Sequence, residues 1–365
     1  MPRVTTAFRA IASSRSFIGG VGALCVAALA ACHSTTATSA ATPHTPLAEA
    51  TAAATTSPLA SWNDGAAKNA IVEFVRAATD PTNPSYIEPA ERIATFDNDG
   101  TLWVEQPMYA QVLFAFDRVR ALAPQHPEWA TEEPFRAILA DDRAAMARFT
   151  SADLGKILAA THAGMTVAQY QALAGEWLST AKHPRYGRPY TELVYEPMLE
   201  LLRYLRANDF KTYIVTGGGQ DFVRTFADRI YGVPPEQVVG SAGRTEYRMG
   251  ADGTPEIVKL PEILFVDDKA GKPEAINLMI GRRPVAAFGN STGDRQMLEW
   301  SQGRSAWALL MLVHHDDAVR EYAYGAGSPI GTFSDDLMAE AAKRGWIVVS
   351  MKDDWKRIFP SEIAR

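Results

Sequence analysis

Two aspartates stand one residue apart in the stretch ATFDNDGTLW, residues 94–103. Asp97 comes directly after a short apolar run, and Asp99 is followed by a glycine, which lets the chain turn tightly. Side chains two residues apart in an extended segment can face the same way. A plain junction between a strand and a solvated turn needs neither carboxylate. A site that handles phosphate could use both, so the interpretation depends on which other residues the chain supplies.

Three other apolar runs also end in polar side chains. The runs KTYIVT, PVAAFGN and ALLMLVH end at Thr216, Asn290 and His314. In open parallel sheets, ligands bind at the carboxyl ends of the strands. We therefore expect these three side chains to lie near Asp97, although they are distant from it in the sequence.

The order of the predicted elements indicates how these strand ends are held. RIATF, residues 92–96, is a short apolar strand, and strands and helices alternate in the second half of the chain. Residues 105–182 instead have apolar positions at helical spacing, with no convincing strand among them. The pattern predicts an α/β fold, a doubly wound parallel sheet with an inserted α-helical cap domain. We place the α/β core at residues 61–104 and 190–365 and the cap at residues 105–189.

Four stretches, in order, resemble the motifs of the haloacid dehalogenase-like superfamily. DNDGT resembles the first motif, D-x-D-G-T, and YIVTGGG resembles the second, an apolar strand that ends in Thr or Ser. GKPEAI resembles the third, which carries a lysine, and FGNSTGDRQML resembles the fourth, G-D-x-x-x-D. The inserted helices resemble the cap of phosphoserine phosphatase-like members. Four motifs in the expected order over residues 94–298 are much more specific than the first motif alone.

This resemblance implies distinct roles for the two aspartates. Asp97 would attack phosphorus and form an aspartyl-phosphate, which divides one hard displacement into two easier ones. Asp99 would protonate the leaving alcohol and then take a proton from the attacking water. An acid at this second position is typical of phosphatases and phosphomutases, whereas the dehalogenases lack it. The resemblance therefore implies a Mg²⁺-dependent phosphatase that hydrolyses small phosphomonoesters.

The same resemblance implies contacts to the phosphate group and to the metal ion. The residues that would bind phosphate are Gly100, Thr101, Thr216, Gly217 and Lys272. Lys272 would also balance the charge of the nucleophile and the phosphate. Mg²⁺ is the implied cofactor, because hard oxygen donors suit it. The residues that would supply those oxygens are Asp97, Asp99, Asn290 and Asp294.

Two positions depart from the pattern of the superfamily. Asn290 stands where the fourth motif usually has aspartate, so its amide oxygen would bind Mg²⁺ without contributing a charge. Asp294 could compensate, either as a ligand or by holding Lys272. Phosphoserine phosphatases of this type have a glutamate nine residues after the nucleophile, where this chain has Gln106, with Glu105 one residue earlier. Phosphoserine is therefore not supported as the substrate.

Three residues are candidates for contact with the leaving group, namely Glu105, Arg185 and His314. Each could instead lie on the surface or pack against its neighbours. His314 and His315 are adjacent, so they point in different directions, and we do not expect them to form a two-histidine metal site. Both precede DAVREYAYG, residues 317–325, which the pattern predicts to be a helix.

The composition indicates a globular protein and argues against nucleic acid as a partner. Of the 365 residues, 47% are hydrophobic and 21% are charged, as in proteins with a substantial core. The net charge is −6, and no run of like charges suggests a binding tail. We expect the partner to be a small phosphorylated metabolite, and the oligomeric state is left open.

The first 32 residues have the pattern of an export signal. Basic residues precede FIGGVGALCVAALAA, an uncharged apolar stretch that is short for a membrane-spanning helix. Its end, LAAC, resembles the bacterial lipobox, in which the cysteine is lipidated and becomes the first mature residue. We expect a signal peptide at residues 1–32, lipid on Cys32 that anchors the protein to the periplasmic face of a bacterial membrane, and a disordered Ala/Thr/Ser/Pro tether at residues 33–60. The alternative is a soluble periplasmic protein in which Cys32 is incidental.

Two other functions stay open on the sequence alone. One is a phosphomutase, although an exported enzyme has little access to the phosphorylated activators that mutases use. The other is a non-catalytic binding lipoprotein on the same scaffold, with Asn290 as the first sign of lost chemistry. The presence of Asp97, Asp99, Thr216 and Lys272 together favours the phosphatase.

Overall fold

The computed structural model describes residues 58–303 and 307–361. The predicted signal peptide and almost all of the predicted tether lie outside these residues. Leu59 is only 1% exposed and joins the core, so the packed body begins before the predicted boundary at residue 61. Among the described residues, no helix is both long enough and apolar enough to cross a bilayer.

A seven-stranded sheet lies at the centre of the part of the chain that the structure describes. Its strands are β1 (Ile93–Phe96), β2 (Lys211–Gly219), β3 (Val238–Met249), β4 (Pro255–Phe265), β5 (Ala286–Gly289), β6 (Leu309–His314) and β7 (Ile347–Ser350). Their order across the sheet is β4-β3-β2-β1-β5-β6-β7. All neighbouring strands are parallel except β3 and β4, which are antiparallel. The first predicted strand therefore occupies the middle of the sheet.

Helices cover both faces of this sheet, which explains why its central strands are apolar throughout. Side chains along β5 and β6 alternate between two cores, so that Phe288 and Met311 face one and Ala287 and Leu310 face the other. The first core is closed by α1 (Ala66–Thr79) and α7 (Glu196–Ala207). The second is closed by α10 (Gly271–Ala275), α11 (Arg295–Gln302) and α12 (Asp335–Arg344). This three-layer arrangement confirms the predicted α/β doubly wound fold.

The chain between β1 and β2 is helical. Its α-helices are α2 (Ala110–Leu122), α3 (Phe135–Leu139), α4 (Arg143–Met146), α5 (Ser151–His162) and α6 (Val167–Thr180). Phe116, Phe135 and Ile157 belong to a small apolar core that is separate from the two cores of the sheet. Thr150 and Thr166 begin α5 and α6 with capping boxes, in which side chain and backbone satisfy each other. The predicted limits of the cap, residues 105–189, enclose all of these helices.

β3 and β4 extend beyond the parallel sheet as an antiparallel hairpin. This hairpin is joined to the helical insertion by backbone hydrogen bonds. The N–H of Gly164 donates to the carbonyl oxygen of Lys259, and the N–H of Lys259 donates to that of Met165, both at 2.9 Å. The sequence predicts strands in this stretch but not their contact with the cap.

Two predicted helices differ from those in the structure. The sequence GQDFVRTFADRIYG, residues 219–232, predicts a single helix. In the structure it forms two short helices, α8 (Gln220–Val223) and α9 (Ala227–Tyr231). Residues 317–325 form turns instead of a helix. In this segment Arg320 donates from its guanidinium, at 2.8–2.9 Å, to the carbonyl oxygens of Met351, Lys352 and Trp355. Tertiary contacts of this kind override the local preference for helix.

Candidate active site

Asp97 follows β1 at the carboxyl edge of the sheet, and a buried lysine holds it there. The backbone N–H of Asp97 donates to the carbonyl oxygen of Phe288 on β5 (2.9 Å). Lys272 on α10 donates from Nζ to Asp97 Oδ1 (2.7 Å) and to Asp294 Oδ1 (2.6 Å). Its third bond, to the carbonyl oxygen of Val215 (2.9 Å), uses the last donor of the ammonium group. Lys272 thus fixes Oδ1 of Asp97, and Oδ2 is the oxygen available for chemistry.

Burial changes the protonation of both members of the aspartate pair. It raises the pKa of Asp97 well above the usual range, the charge of Asp294 adds to this rise, and Lys272 opposes it. Burial also raises the pKa of Asp99, against the hydrogen bond from the indole of Trp103. Burial disfavours the charged form of Lys272, but the surrounding carboxylates, Asp294 first, outweigh it and raise the pKa of the lysine. The lysine is therefore a stable cation, and Asp99 is a carboxyl group that can carry a proton.

The turn after β1 brings Asp99 into the same site. Asp99 Oδ1 accepts a hydrogen bond from Trp103 Nε1 (2.9 Å). Gly100 has a φ of 76°, in the left-handed region, and its N–H donates to the carbonyl oxygen of Trp103 (2.9 Å). A Cβ at Gly100 would overlap the side chains of Asn290 and Glu105. Both the backbone conformation and the lack of space therefore require glycine here.

Asn290 follows β5, the strand beside β1, and its side-chain amide is held from two sides. Its Oδ1 accepts a hydrogen bond from Thr101 Oγ1 (3.1 Å). Its Nδ2 donates to Glu105 Oε1 (2.7 Å). The predicted phosphate-binding residue Thr101 is fully buried, so in this structure its hydroxyl orients Asn290.

Asp294 connects the loop after β5 to the lysine. One oxygen, Oδ1, accepts from Lys272, and the other, Oδ2, accepts from the backbone N–H groups of Asn290 (2.9 Å) and Ser291 (3.0 Å). Asp294 is fully buried, and a Cβ at Gly289 would overlap it. Of the two ways in which Asp294 could compensate for Asn290, this geometry corresponds to holding Lys272.

Glu105 is a buried carboxyl group at the foot of the site. Its Oε1 accepts a hydrogen bond from the hydroxyl of Tyr324 (2.6 Å) in addition to that from Asn290. Burial raises the pKa of Glu105 well above its usual range, Tyr324 opposes this, and the charges of Asp99 and Asp97 raise it further. Glu105 borders the cavity, but its carboxylate lies against Asn290, the predicted metal ligand in the loop after β5.

The end of β2 lies on the other side of Asp97. Thr216 is fully buried, and its Oγ1 accepts a hydrogen bond from the N–H of Gly218 (3.0 Å). Gly217 borders the cavity, and its carbonyl oxygen accepts from Ser241 Oγ (2.8 Å). Of the two residues predicted to bind phosphate here, Gly217 faces the cavity and Thr216 shapes the loop that presents it.

The structure does not bring Arg185 or His314 to the cavity. Arg185 donates at 2.5–3.2 Å to the carbonyl oxygens of Ala318, Val319 and Glu321. Its guanidinium also lies 4.6 Å from the ring of Tyr322, so it ties the cap to the loop after β6. His314, at the end of β6, packs its ring 5.0 Å from that of Phe333. Arg185 is thus held by hydrogen bonds and a ring contact, His314 packs against a ring, and neither side chain lines the cavity.

The neighbouring His315 reaches the site instead. Its Nε2 lies 2.7 Å from the carbonyl oxygen of Gly100, and because that oxygen only accepts, Nε2 carries a proton. Its Nδ1 faces Glu321 Oε2 at 3.1 Å, and its ring stacks on Tyr324 at 4.4 Å. Adjacent side chains at a strand end face opposite ways, which explains why only one of the two histidines supports the turn after β1.

Asp267, just after β4, is a second buried acid beside the lysine. It is fully buried, and neither carboxylate oxygen has a hydrogen-bond partner among the described residues. Burial raises the pKa of Asp267 to about 7, and the charge of Lys272 opposes the rise. The only signal in the sequence is the acidic pair that ends ILFVDD, which is equally typical of a turn.

A cavity of about 520 Å³ adjoins the aspartate pair. Its floor contains Asp97, Asp99 and Lys272, and its walls come from α2, α5 and the hairpin strand β4. The wall formed by α2 and α5 is mostly apolar, with Val112, Ala115, Phe116, Leu154, Ile157 and Leu158, and it also contains Gln111 and His162. On the hairpin side, Lys259 Nζ pairs with Asp221 Oδ2 at 2.5 Å. The cap and the hairpin thus enclose the space above the two aspartates together.

The site holds more acid than base. The ammonium group of Lys272 contacts the carboxyl groups of Asp97 and Asp294, those of Asp99 and Asp267 lie near it, and the charge of Glu105 interacts with Asp97 and Asp99. Within residues 58–303 and 307–361, no group of three or more His, Cys, Asp or Glu side chains is arranged to hold a metal ion. Any cation here would therefore bind to fewer carboxylates and complete its shell with amide and backbone oxygens, which suits Mg²⁺.

The chain belongs to the haloacid dehalogenase-like hydrolase family, whose profile matches residues 94–299. The match begins in β1 and ends in α11, and it includes the helical insertion and the hairpin. It therefore contains every residue described above at the floor of the cavity. A search of the curated proteins finds none that matches.

Several solved structures have a similar fold. A conserved protein of unknown function from Anaerococcus prevotii is 17% identical with a TM-score of 0.50, over 77% of this chain and 91% of that one. A protein of unknown function from Bordetella pertussis is 19% identical with a TM-score of 0.44, over 71% of this chain and 98% of that one. A phosphoserine phosphohydrolase-like protein from Francisella tularensis is 19% identical with a TM-score of 0.34, over 61% and 88%. At these identities the similarity concerns the fold alone.

Proposed function

We propose that this protein hydrolyses small phosphomonoesters through an aspartyl-phosphate on Asp97. The observation that carries the proposal is the position of Asp97 at the floor of the cavity. One of its oxygens is fixed by Lys272, and Asp99, an acid with a raised pKa, is two residues away. Membership of a hydrolase family supports the same chemistry.

The first step transfers the phosphoryl group to the protein. Oδ2 of Asp97 attacks phosphorus, the new P–O bond forms, and the bond from phosphorus to the ester oxygen breaks. Asp99 donates its proton to that oxygen, so the leaving group departs as a neutral alcohol. The hydrogen bond from Lys272 favours the ionised form of Asp97, which is the form that attacks.

The second step releases phosphate. Asp99, now a carboxylate, accepts a proton from the water that attacks phosphorus. The bond between phosphorus and Asp97 then breaks, which restores both aspartates to their starting forms. The backbone N–H of Gly217, which borders the cavity, would bind a non-reacting oxygen in both steps, and the positive charge of Lys272 would offset negative charge on the phosphoryl group.

The donor set at the floor of the site is suited to Mg²⁺. Asp97, the backbone oxygen of Asp99 and the side-chain oxygen of Asn290 would hold the ion, and Glu105 adds a negative charge beside Asn290. Burial raises the pKa of Asp97, Asp99 and Glu105, and a bound cation would favour their ionised forms. When bound, Mg²⁺ offsets charge on the phosphoryl group.

Release of inorganic phosphate tests this proposal. The full-length protein in detergent is incubated with ethyl phosphate and other small esters, with Mg²⁺ or with a chelator. We expect turnover that requires Mg²⁺ and falls by at least ~10³-fold in Asp97→Asn. The control Asp252→Asn, on the exposed tip of the hairpin, keeps full activity. Turnover without a phosphorylated activator would exclude the mutase, and no turnover of any ester would favour the binding lipoprotein.

We also propose that the protein is exported and anchored by a lipid on Cys32. Support comes from the sequence, where basic residues, an apolar stretch and LAAC follow one another in the order of a lipoprotein signal. The Ala/Thr/Ser/Pro segment that follows would separate the enzyme from the membrane surface.

A further inference from the structure

The cavity is divided between a polar floor and an apolar wall, and the wall indicates what kind of alcohol the substrate carries. We propose that the preferred substrates are phosphomonoesters of apolar, uncharged alcohols, whose leaving group lies between α2 and α5 of the cap. This inference rests on the proposed function, because the phosphate would occupy the floor of the same cavity.

The apolar wall faces the space that a leaving group must occupy. Asp97 and Asp99 fix the phosphate at the floor, so the alcohol half of the ester extends toward the cap. Six side chains there are aliphatic or aromatic, namely Val112, Ala115, Phe116, Leu154, Ile157 and Leu158. A sugar or an amino acid in this position would place hydroxyl, ammonium or carboxylate groups against carbon atoms, where they lose hydrogen bonds to water.

Three polar side chains in the upper part of the cavity already have partners, namely Lys259, Asp221 and Gln111, whereas Nε2 of His162 has none among the described residues. Lys259 Nζ pairs with Asp221 and lies 4.6 Å from the ring of Tyr170. Gln111 accepts a hydrogen bond from the N–H of Gly219 (2.7 Å). None of these three contacts leaves a full charge for a charged substrate group to neutralise.

His162 and the acidic residues at the rim of the cavity also favour an uncharged leaving group. Burial lowers the pKa of His162 to about 3, so its imidazole is neutral at physiological pH. Glu262 and Asp268 border the cavity where it is exposed to solvent. Their negative charges disfavour substrates that carry a carboxylate or a second phosphate. An uncharged apolar leaving group therefore has the best match to the whole cavity.

Esters of primary alcohols test the inference without differences in leaving-group chemistry. The full-length protein is assayed for kcat/KM with ethyl phosphate, benzyl phosphate, phosphoserine and glucose 6-phosphate. We expect benzyl phosphate to exceed ethyl phosphate by about 10- to 100-fold, which is the discrimination typical of an apolar pocket. Phosphoserine and glucose 6-phosphate should not exceed ethyl phosphate.

A pair of matched variants locates the effect. Leu158→Gln should reduce kcat/KM for benzyl phosphate by about tenfold and change that for ethyl phosphate by less than about twofold. Leu278→Gln, at a 69% exposed leucine outside the cavity, should change neither. If Leu158→Gln does not fold, Gly155→Leu replaces it, because a Cβ at this cavity-lining position meets no atom within 4 Å. Gly155→Leu should narrow the cavity and lower only the benzyl phosphate rate.

The outcomes separate this inference from the proposed function. Turnover that is equal for benzyl and ethyl phosphate, or higher for the polar esters, would overturn the inference and leave the phosphatase intact. If no ester is hydrolysed, the proposed function fails. Calorimetric titration with benzylphosphonate and ethylphosphonate then measures whether the apolar wall binds the benzyl group, independently of catalysis. At least about tenfold tighter binding of benzylphosphonate would support the apolar leaving-group site, and equal binding of the two would refute it.

Discussion

At the scale of single residues, Glu105 places a carboxyl group beside Asn290, the amide that stands where the fourth motif usually has aspartate. Its carboxylate lies 2.7 Å from the Asn290 amide and 2.6 Å from the Tyr324 hydroxyl, in a pocket too small for a Cβ at Gly100. Where an amide replaces a charged metal ligand, a carboxylate that contacts this amide strengthens the binding of a cation. A cation held by Asn290 would favour the ionised form of Glu105 and would thereby gain a negative charge from the turn after β1.

We therefore predict that Glu105→Gln weakens Mg²⁺ binding by about 10-fold or more, because it removes that charge and keeps the shape. The measurement is calorimetric titration of Mg²⁺ into the protein without substrate. Glu262→Gln, at the exposed rim of the cavity, is the control and should bind Mg²⁺ as the unmodified protein does. Equal affinities for all three proteins would show that Glu105 has no part in holding the ion.

Asp267 makes stability depend on pH. Its pKa is raised to about 7 in the folded state, so the folded protein binds a proton that the unfolded chain releases above pH 4. Stability is therefore highest below about pH 4 with respect to this group and decreases as pH rises to about 7, by on the order of 3–4 kcal/mol. An asparagine at position 267 would be similar in size to the aspartate and would have no charge to bury.

We predict that Asp267→Asn raises the free energy of unfolding at pH 8 and reduces its decline between pH 5 and pH 8. Urea unfolding at the two pH values measures both effects. The exposed Asp353→Asn is the control and should follow the unmodified protein. A decline in Asp267→Asn as steep as in the unmodified protein would show that other acids cause it.

The site residues differ in how far the sequence could predict them. Asp97 and Asn290 could be placed because each follows a recognisable apolar strand, and the carboxyl edge of a parallel sheet gathers such residues. Asp99 and Lys272 were identified by resemblance to the first and third motifs of the superfamily. The orientation of His315, by contrast, depends on which face of the strand end meets the turn after β1. No short-range pattern contains that information.

At the scale of elements, one buried ion pair joins the hairpin to helix α8 of the core. Lys259 reaches across from β4 to Asp221 on α8, and both side chains are largely buried. Removal of one partner leaves the other charge buried and unpaired, whereas removal of both does not.

We predict that Lys259→Met destabilises the protein by about 3 kcal/mol and that Lys259→Met with Asp221→Leu recovers part of the loss. Urea unfolding of the single and double variants measures the coupling between the two residues. The control is Arg248→Met on the same hairpin, which removes a solvent-exposed pair with Glu246 and should have little effect. Simple additivity of Lys259→Met and Asp221→Leu would show that the pair is not coupled.

Strand and helix types followed from periodicity, but the partners of the hairpin did not. Helical spacing over residues 105–182 predicted the helical insertion, and the sequence predicted strands where β3 and β4 lie. The bonds between Gly164 and Lys259 join residues far apart in the sequence, and backbone groups carry no side-chain signature. The predicted helix over residues 317–325 was wrong for a related reason, since carbonyl groups near the C-terminus bind Arg320.

At the scale of the whole molecule, the proposed anchor has a direct test. We predict that the protein expressed in a bacterium sediments with membranes and incorporates labelled palmitate, because Cys32 ends a lipobox-like sequence. Cys32→Ala should abolish labelling and release the protein from the membrane fraction, while Cys25→Ala should change neither. Labelling that persists in Cys32→Ala would rule out this anchor.

The two walls of the cavity are inserted at different points of the same sheet, one after β1 and the other between β3 and α10. The groups of the proposed chemistry belong to the sheet edge and its short turns, apart from Lys272 at the start of α10. Mutation can therefore vary the walls and alter substrate range while the catalytic floor is inherited unchanged. The backbone hydrogen bonds that join Gly164 and Met165 to Lys259 limit this variation, because a change of length in one insertion requires a matching change in the other. Substrate preference in this lineage should accordingly evolve through paired changes in the cap and the hairpin.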